Sequence, residues 1–201
     1  MHIYWHGISC VKIQTGDAVF VFNPYSDSTG LSMPKLKADV VVVSNMENDA
    51  CNNIDRLQGE PFRITAPGEF EVKGMHIRGV EYGENDTFYM LKAEGMTLAH
   101  LGTTGMPFSD EHLSLLEGVD VVFLPLNCTE GVVPSKMVAT IEPRVVVPIM
   151  YKAAKEKLKL PEFDAFAKDM GLKNVEPEEK LLLKLKDLPQ EETSIRVLSV
   201  A

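Results

Sequence analysis

Histidine is scarce in this chain. It has five, His2, His6, His76, His100 and His112, and none falls in the polar stretch 45–53 that follows the valine run at 40–43. Cysteine is equally sparse: Cys10, Cys51 and Cys128 are an odd number at no zinc-finger spacing. That argues against a disulfide framework and predicts buried free thiols in a reducing compartment. No apolar run approaches the length of a membrane span, and no charged-then-apolar leader opens the chain, so the expectation is a soluble, cytoplasmic protein. Basic residues lag behind acidic ones, 20 against 29, for a formal charge of −9. This balance works against attraction to phosphate backbones and anionic lipid, so neither nucleic acid nor a membrane is an expected partner. The cluster Lys152, Lys155, Lys157 and Lys159 reads as a solvated face. There is no dinucleotide-binding glycine fingerprint, no P-loop lysine and no nucleophile elbow; "TGDAV", "GENDT" and "LGTTG" read as turns.

What is present suffices for a core. The 201 residues are 45% apolar with no shift in composition, which predicts one globular unit over 1–201. The first half reads as short strands, "HIYWH", "CVKIQT", "AVFVF", "DVVVV", "PFRIT", "FEVKGMHIRGVEY", "TFYMLKAEG" and "MTLAHLG", punctuated by turn residues and expected to form a largely antiparallel sheet. The second half alternates helices with buried strands. Ser109 caps "DEHLSLLE", which Gly118 ends; "VDVVFLPL" is a strand; "PSKMVATIE" is a helix stopped by Pro143; "RVVVPIM" is a strand; and "PEFDAFAKDM" is a helix with Pro161 in its first turn and Gly171 after its end. "KLLLKLK" and "SIRVLSV" are expected to close the chain as strands. The pattern predicts a mixed α/β (α+β) fold, two sheets face to face with helices outside, an αββα sandwich. The valine run needs burial on both faces, so it should deliver Ser44 and Asn45 into a loop at a sheet end, where α/β proteins build their sites.

Taken in order, "WHGISCVKIQT", "AVFVFNPY", "KADVVVVSNMENDACNN", "APGEFEVKGMHIRGV", "AHLGTTG", "VDVVFLPL" and "RVVVPIMYK" resemble the metallo-β-lactamase superfamily. More narrowly they are similar to its small lactonase-like hydrolases, of the L-ascorbate-6-phosphate lactonase type. The resemblance implies the four-layer αββα fold and a site for one or two divalent metals. It also shows where this chain departs. The family's Thr-His-x-His-x-Asp-His loop becomes Ser44, Asn45, Glu47, Asp49 and Ala50, in which only Asp49 keeps its ligand's residue type. Thr103 stands at the bridging aspartate of His-Leu-Gly-Asp-x-Gly, Met150 at the histidine of Pro-Met-His-Tyr, Ile8 at the histidine of Gly-His-Ser-Cys, and Asn23 at the aspartate of Asp-Pro.

Zinc takes imidazole nitrogen, thiolate or carboxylate oxygen in a closed geometry. An amide, a methyl, a hydroxyl and a thioether agree on no one metal. The expectation is therefore no metal and no cofactor, the alternative being one weakly bound divalent cation on Glu47 and Asp49. Without an ion to bring the pKa of water down to about 7, the family's hydroxide nucleophile has no source.

Replacement groups are few. His6 lies two residues before Ile8, on the same strand face, from which it would reach the pocket mouth; Cys51 and Cys128 fall near the rim, as a soft zinc site or as buried thiols; Glu69 lies near the pocket or on a solvent-facing sheet edge. His100 sits at a position that is not a family ligand, and His112 lies in a surface helix. The functional expectation is a non-catalytic binding or scaffold protein with a small polar ligand in the old cleft, a homo-oligomer or the associate of an active relative. The alternative is a metal-dependent hydrolase of a small anionic ester or lactone with a remodelled site.

Overall fold

The structure is a computed structural model that describes residues 1–83, 85–153 and 155–201. Two sheets form it. The first has the order β12-β1-β2-β3-β4-β5 and the second β13-β11-β10-β9-β8-β7-β6. The strands are β1 His2–Trp5, β2 Val11–Gln14, β3 Val19–Phe22, β4 Val40–Val42, β5 Phe62–Ile64, β6 Gly68–Val72, β7 Met75–Glu81, β8 Thr87–Ala93, β9 Met96–His100, β10 Val121–Pro125, β11 Val145–Ile149, β12 Leu181–Leu182 and β13 Ser194–Ile195. Three α-helices, α1 Asp110–Leu116, α2 Pro134–Ile141 and α3 Phe163–Asp169, all belong to the second half.

Burial explains the strand types. Val40, Val41, Val42 and Val43 are each fully buried, and β10 and β11 are buried at every position, as strands covered on both faces require. The outer strand β7 alternates buried and exposed residues from Met75 to Gly79. Pro148 sits in β11 where the ladder is already one-sided, because β13 pairs only with Val145 and Val146.

The helix ends follow their caps. Ser109 Oγ accepts from the His112 amide at 3.2 Å while His112 Nδ1 accepts from the Ser109 amide at 3.3 Å, a reciprocal box at the start of α1. Pro134 opens α2, and Glu142, at φ 50, closes it just before Pro143.

Several expectations need correction. The strands of the first half do pair largely antiparallel, but they divide between two sheets, and β3, β4 and β5 pair in parallel. The segments 23–39 and 43–61 are crossovers, too long for hairpins, and parallel pairing is what such a crossover permits. The closing strands shrink to two residues each, and a 3-10 turn at Leu185–Asp187 takes the end of "KLLLKLK". The third helix begins at Phe163, two residues after Pro161. Of the "GENDT" turn, Glu84 lies outside the described residues.

Candidate functional site

The carboxyl ends of β3 and β4 in one sheet and of β9, β10 and β11 in the other release the loops in question. Asn23, directly after β3, adopts φ 51, and its Oδ1 accepts from Ser44 N at 2.9 Å and Ser44 Oγ at 3.0 Å. The Ser44 carbonyl in turn accepts from Thr87 N at 2.9 Å, tying the β4 loop to the second sheet. His100 closes the circuit. Its Nε2 donates to the Ser9 carbonyl at 2.9 Å, its Nδ1 accepts from Gly102 N at 3.2 Å, and its ring stacks on Phe22 at 5.2 Å. Complete burial lowers its pKa to about 4, so this histidine is a neutral brace with both nitrogens spent on backbone.

The residues that the resemblance sets at ligand positions divide into two groups. Ile8, Ala50, Thr103 and Met150 are only 2, 6, 2 and 3% exposed. Met150 N donates to the Ile8 carbonyl at 2.9 Å, which brings those two together, and Thr103 Oγ1 meets the Asn48 amide nitrogen at 3.5 Å. Glu47 and Asp49 are exposed. Glu47 accepts from Asn85 Nδ2 at 3.1 Å, while Asp49 accepts from Ser28 Oγ at 3.4 Å and lines a 370 Å3 groove with Met46 and Arg63. Asn45 lies between the groups. Its Oδ1 accepts from Glu47 N at 2.9 Å, and its Nδ2 donates to Asp86 Oδ1 at 3.4 Å.

The neighbours proposed from sequence are scattered. The strand ends at Trp5, and the turn through Gly7 and Ile8, with φ 94 and 56, removes the shared face expected for His6 and Ile8. His6 Nδ1 instead meets the Ala201 carbonyl at 3.0 Å. Cys51 is buried, with Sγ donating to the Asn45 carbonyl at 3.0 Å, and burial pushes its pKa up to about 12. Burial raises Cys128 to about 11, so both are thiols in the fold as it stands. Glu69 is not at this end: it pairs with Arg78 at 3.7 Å beside a cavity against α1.

Sequence reasoning missed Asp86 and Asn48. Asp86 is half-buried, and burial raises its pKa. Its one signal was a place in a turn, which points to no particular loop across the sheet. Three buried polar atoms here, His6 Nε2, Ser9 Oγ and Asn23 Nδ2, have no partner among the described residues.

The model of the beta-lactamase superfamily domain matches residues 2–150. The chain belongs to that superfamily. Among curated relatives, the UPF0173 metal-dependent hydrolase of Bacillus licheniformis is 27% identical over 75% of this chain and 85% of its own length. The UPF0173 metal-dependent hydrolase YtkL of Bacillus subtilis is 26% identical over 75% of this chain and 86% of its own. Among solved structures, a Thermotoga maritima protein described as a Zn-dependent hydrolase of the metallo-beta-lactamase superfamily superposes with a TM-score of 0.81, at 24% identity, over 100% of both chains. That likeness establishes the sandwich of the metallo-β-lactamase type for the whole described chain. No helix among the described residues is long and apolar enough to cross a membrane.

These relatives correct one expectation. Both curated relatives are named metal-dependent hydrolases, so a metal is the cofactor of these relatives, against the expectation of none drawn for this chain. The side chains of this chain nevertheless do not fit such an ion as they are arranged. Buried Ala50 and Ile8 donate nothing, Thr103 and Asn45 are neutral, and the two carboxylates of the loop, Glu47 and Asp49, engage separate partners at the surface. Among the described residues no three of His, Cys, Asp and Glu gather closely enough to hold a metal. No hydrolytic step follows from this set.

Proposed function

We propose that the chain is a non-catalytic binding or scaffold protein built on the hydrolase fold, whose carboxyl-end loops hold a small polar ligand. The observation that carries the reading is the closure of the ligand positions: Ile8, Ala50, Thr103 and Met150 are packed away from solvent, where a hydrolytic centre keeps an open coordination position for water and substrate. The groove of about 370 Å3 that Asp49 lines with Ser26, Asn52, Asn53 and Arg63 supports a polar guest, since these walls are polar and open to solvent. The three free cysteines support a reducing compartment, and we place the protein in the cytoplasm.

The test is turnover of a panel of small lactones and carboxylic esters, including phosphorylated ones, by protein supplied in turn with Zn2+, Mn2+ and Mg2+. The expected result is a rate equal to the protein-free control with every ion. Hydrolysis that a chelator abolishes and one of these ions restores would overturn the reading.

A further inference from the structure

A second cavity, of about 530 Å3, lies on the outer face of the second sheet, apart from the loops just described. It arises because α1 has only seven residues and leaves the sheet beside it uncovered. Strand register sets what faces it. His76 pairs with Lys92, and Lys92 with Thr97, so these three form a row across β7, β8 and β9. Met90, two residues from Lys92 and therefore on the same face, forms an apolar surface with Leu115 of α1. The size is that of a small-molecule site, and so is the mixture of apolar surface with a few polar groups.

The charges lining it are not all spent. Arg78 is engaged by Glu69 at 3.7 Å, and His76 by Glu71 at 3.8 Å. Two remain: Lys92 on the sheet and Glu117 at the end of α1 both line the cavity, and among the described residues neither has an ion-pair partner. They do not reach each other, since every described ion pair within 4.0 Å involves other groups. One free cation and one free carboxylate, held apart with apolar surface in the same cavity, match a zwitterion with an apolar body.

We propose that this cavity binds a small apolar amino-acid zwitterion, a dipeptide or a compound of that class. Its carboxylate meets Lys92, assisted by the Thr97 hydroxyl; its ammonium group meets Glu117; and its apolar side chains lie on Met90 and Leu115. The site is separate from the closed ligand positions, so it stands whether or not the reading of those positions holds.

The probe is leucyl-leucine, titrated into the full chain while amide resonances are followed by 15N NMR. Shifts concentrated at Lys92, Thr97 and Ser114 are expected. N-acetyl-leucyl-leucine lacks the ammonium charge and leucyl-leucine amide the carboxylate. Each should bind about threefold more weakly, the scale of one solvent-exposed ion pair, with the difference shrinking as salt is added. Lys92→Met should weaken the free dipeptide to the level of its amide and leave the amide unchanged. No shifts at these residues at millimolar probe, or capped forms that bind as tightly as the free dipeptide, would overturn the proposal. The capped comparison uses the unmodified chain, so it decides the matter even where a variant folds poorly.

Discussion

Met150 donates its backbone N–H to the carbonyl of Ile8 at 2.9 Å, and both residues hold φ 56. A left-handed conformation costs an L-residue about 1–2 kcal/mol and is an outlier for a β-branched one. The surroundings hold it in place. The Trp5 indole donates to the same Ile8 carbonyl at 3.0 Å, and its ring stacks on Tyr151 at 4.9 Å. The backbone thus keeps two distant segments in contact, while the side chains delivered there are apolar.

Thr103→Asp introduces the residue type that the resemblance sets at this position and should destabilise the protein. Thr103 is 2% exposed, and its only described side-chain partner is the Asn48 amide at 3.5 Å. A carboxylate placed there without cationic partners should cost about 2–4 kcal/mol at neutral pH. The deficit should shrink in acid, where the carboxyl takes up a proton and becomes neutral. Urea unfolding at neutral and acidic pH measures both; a variant as stable as the parent at neutral pH would show that the position is more open than described.

Asn23→Ala removes the acceptor of both Ser44 N and Ser44 Oγ. The buried amide of Ser44 is then unsatisfied, and the expected loss is about 2–3 kcal/mol. Hydrogen exchange should accelerate at Ser44 and through the following loop before it does in β1 or β2. A uniform acceleration would mean that Asn23 does not anchor that loop in particular.

His100 sets an acid limit. In the unfolded chain its imidazole takes a proton near its ordinary value of 6.5, but in the fold not until about 4. Between those values the unfolded state binds more protons, so this contribution is complete above about 6.5 and is lost as pH falls toward 4. The total is about 3 kcal/mol. His6, lowered chiefly by burial, acts in the same direction. Melting temperature should fall across that interval, and the His100 ring signals in NMR should not titrate above pH of about 5.

Gly105 is required for a close approach. A Cβ there would lie 2.5 Å from Cys128 Sγ and 3.1 Å from Met137 Sδ. Gly105→Ala should cost about 1–3 kcal/mol, and Cys128→Ala in the same chain should recover most of it by removing the sulfur. Additive losses in the double variant would place the strain elsewhere.

How much was legible varies by element. The helices of the second half and the strands β4, β10 and β11 follow from local signals, the Ser109 cap and the valine runs among them. The parallel course of β3, β4 and β5 was not legible, because a period of two tells which face a residue occupies and not which strand lies beside it. Glu69 shows the same limit: its exposure follows from alternation, but the cavity it lines depends on how far α1 extends over the sheet. Asp86 and Asn48 reach the site only through loops from separate strands.

The sequence alone determined the donor inventory. Amide, hydroxyl, thioether and methyl groups at Asn45, Thr103, Met150 and Ala50 are covalent facts, and the kinds of donor they offer are settled before folding begins. Tertiary structure decided which groups meet. It turned Glu47 and Asp49 outward to separate partners, sealed Ile8 against Met150, and left Lys92 and Glu117 without an ion pair among the described residues on another face. Proximity between residues far apart in the chain is set by sheet register and crossover length, and neither is written in any local stretch of sequence.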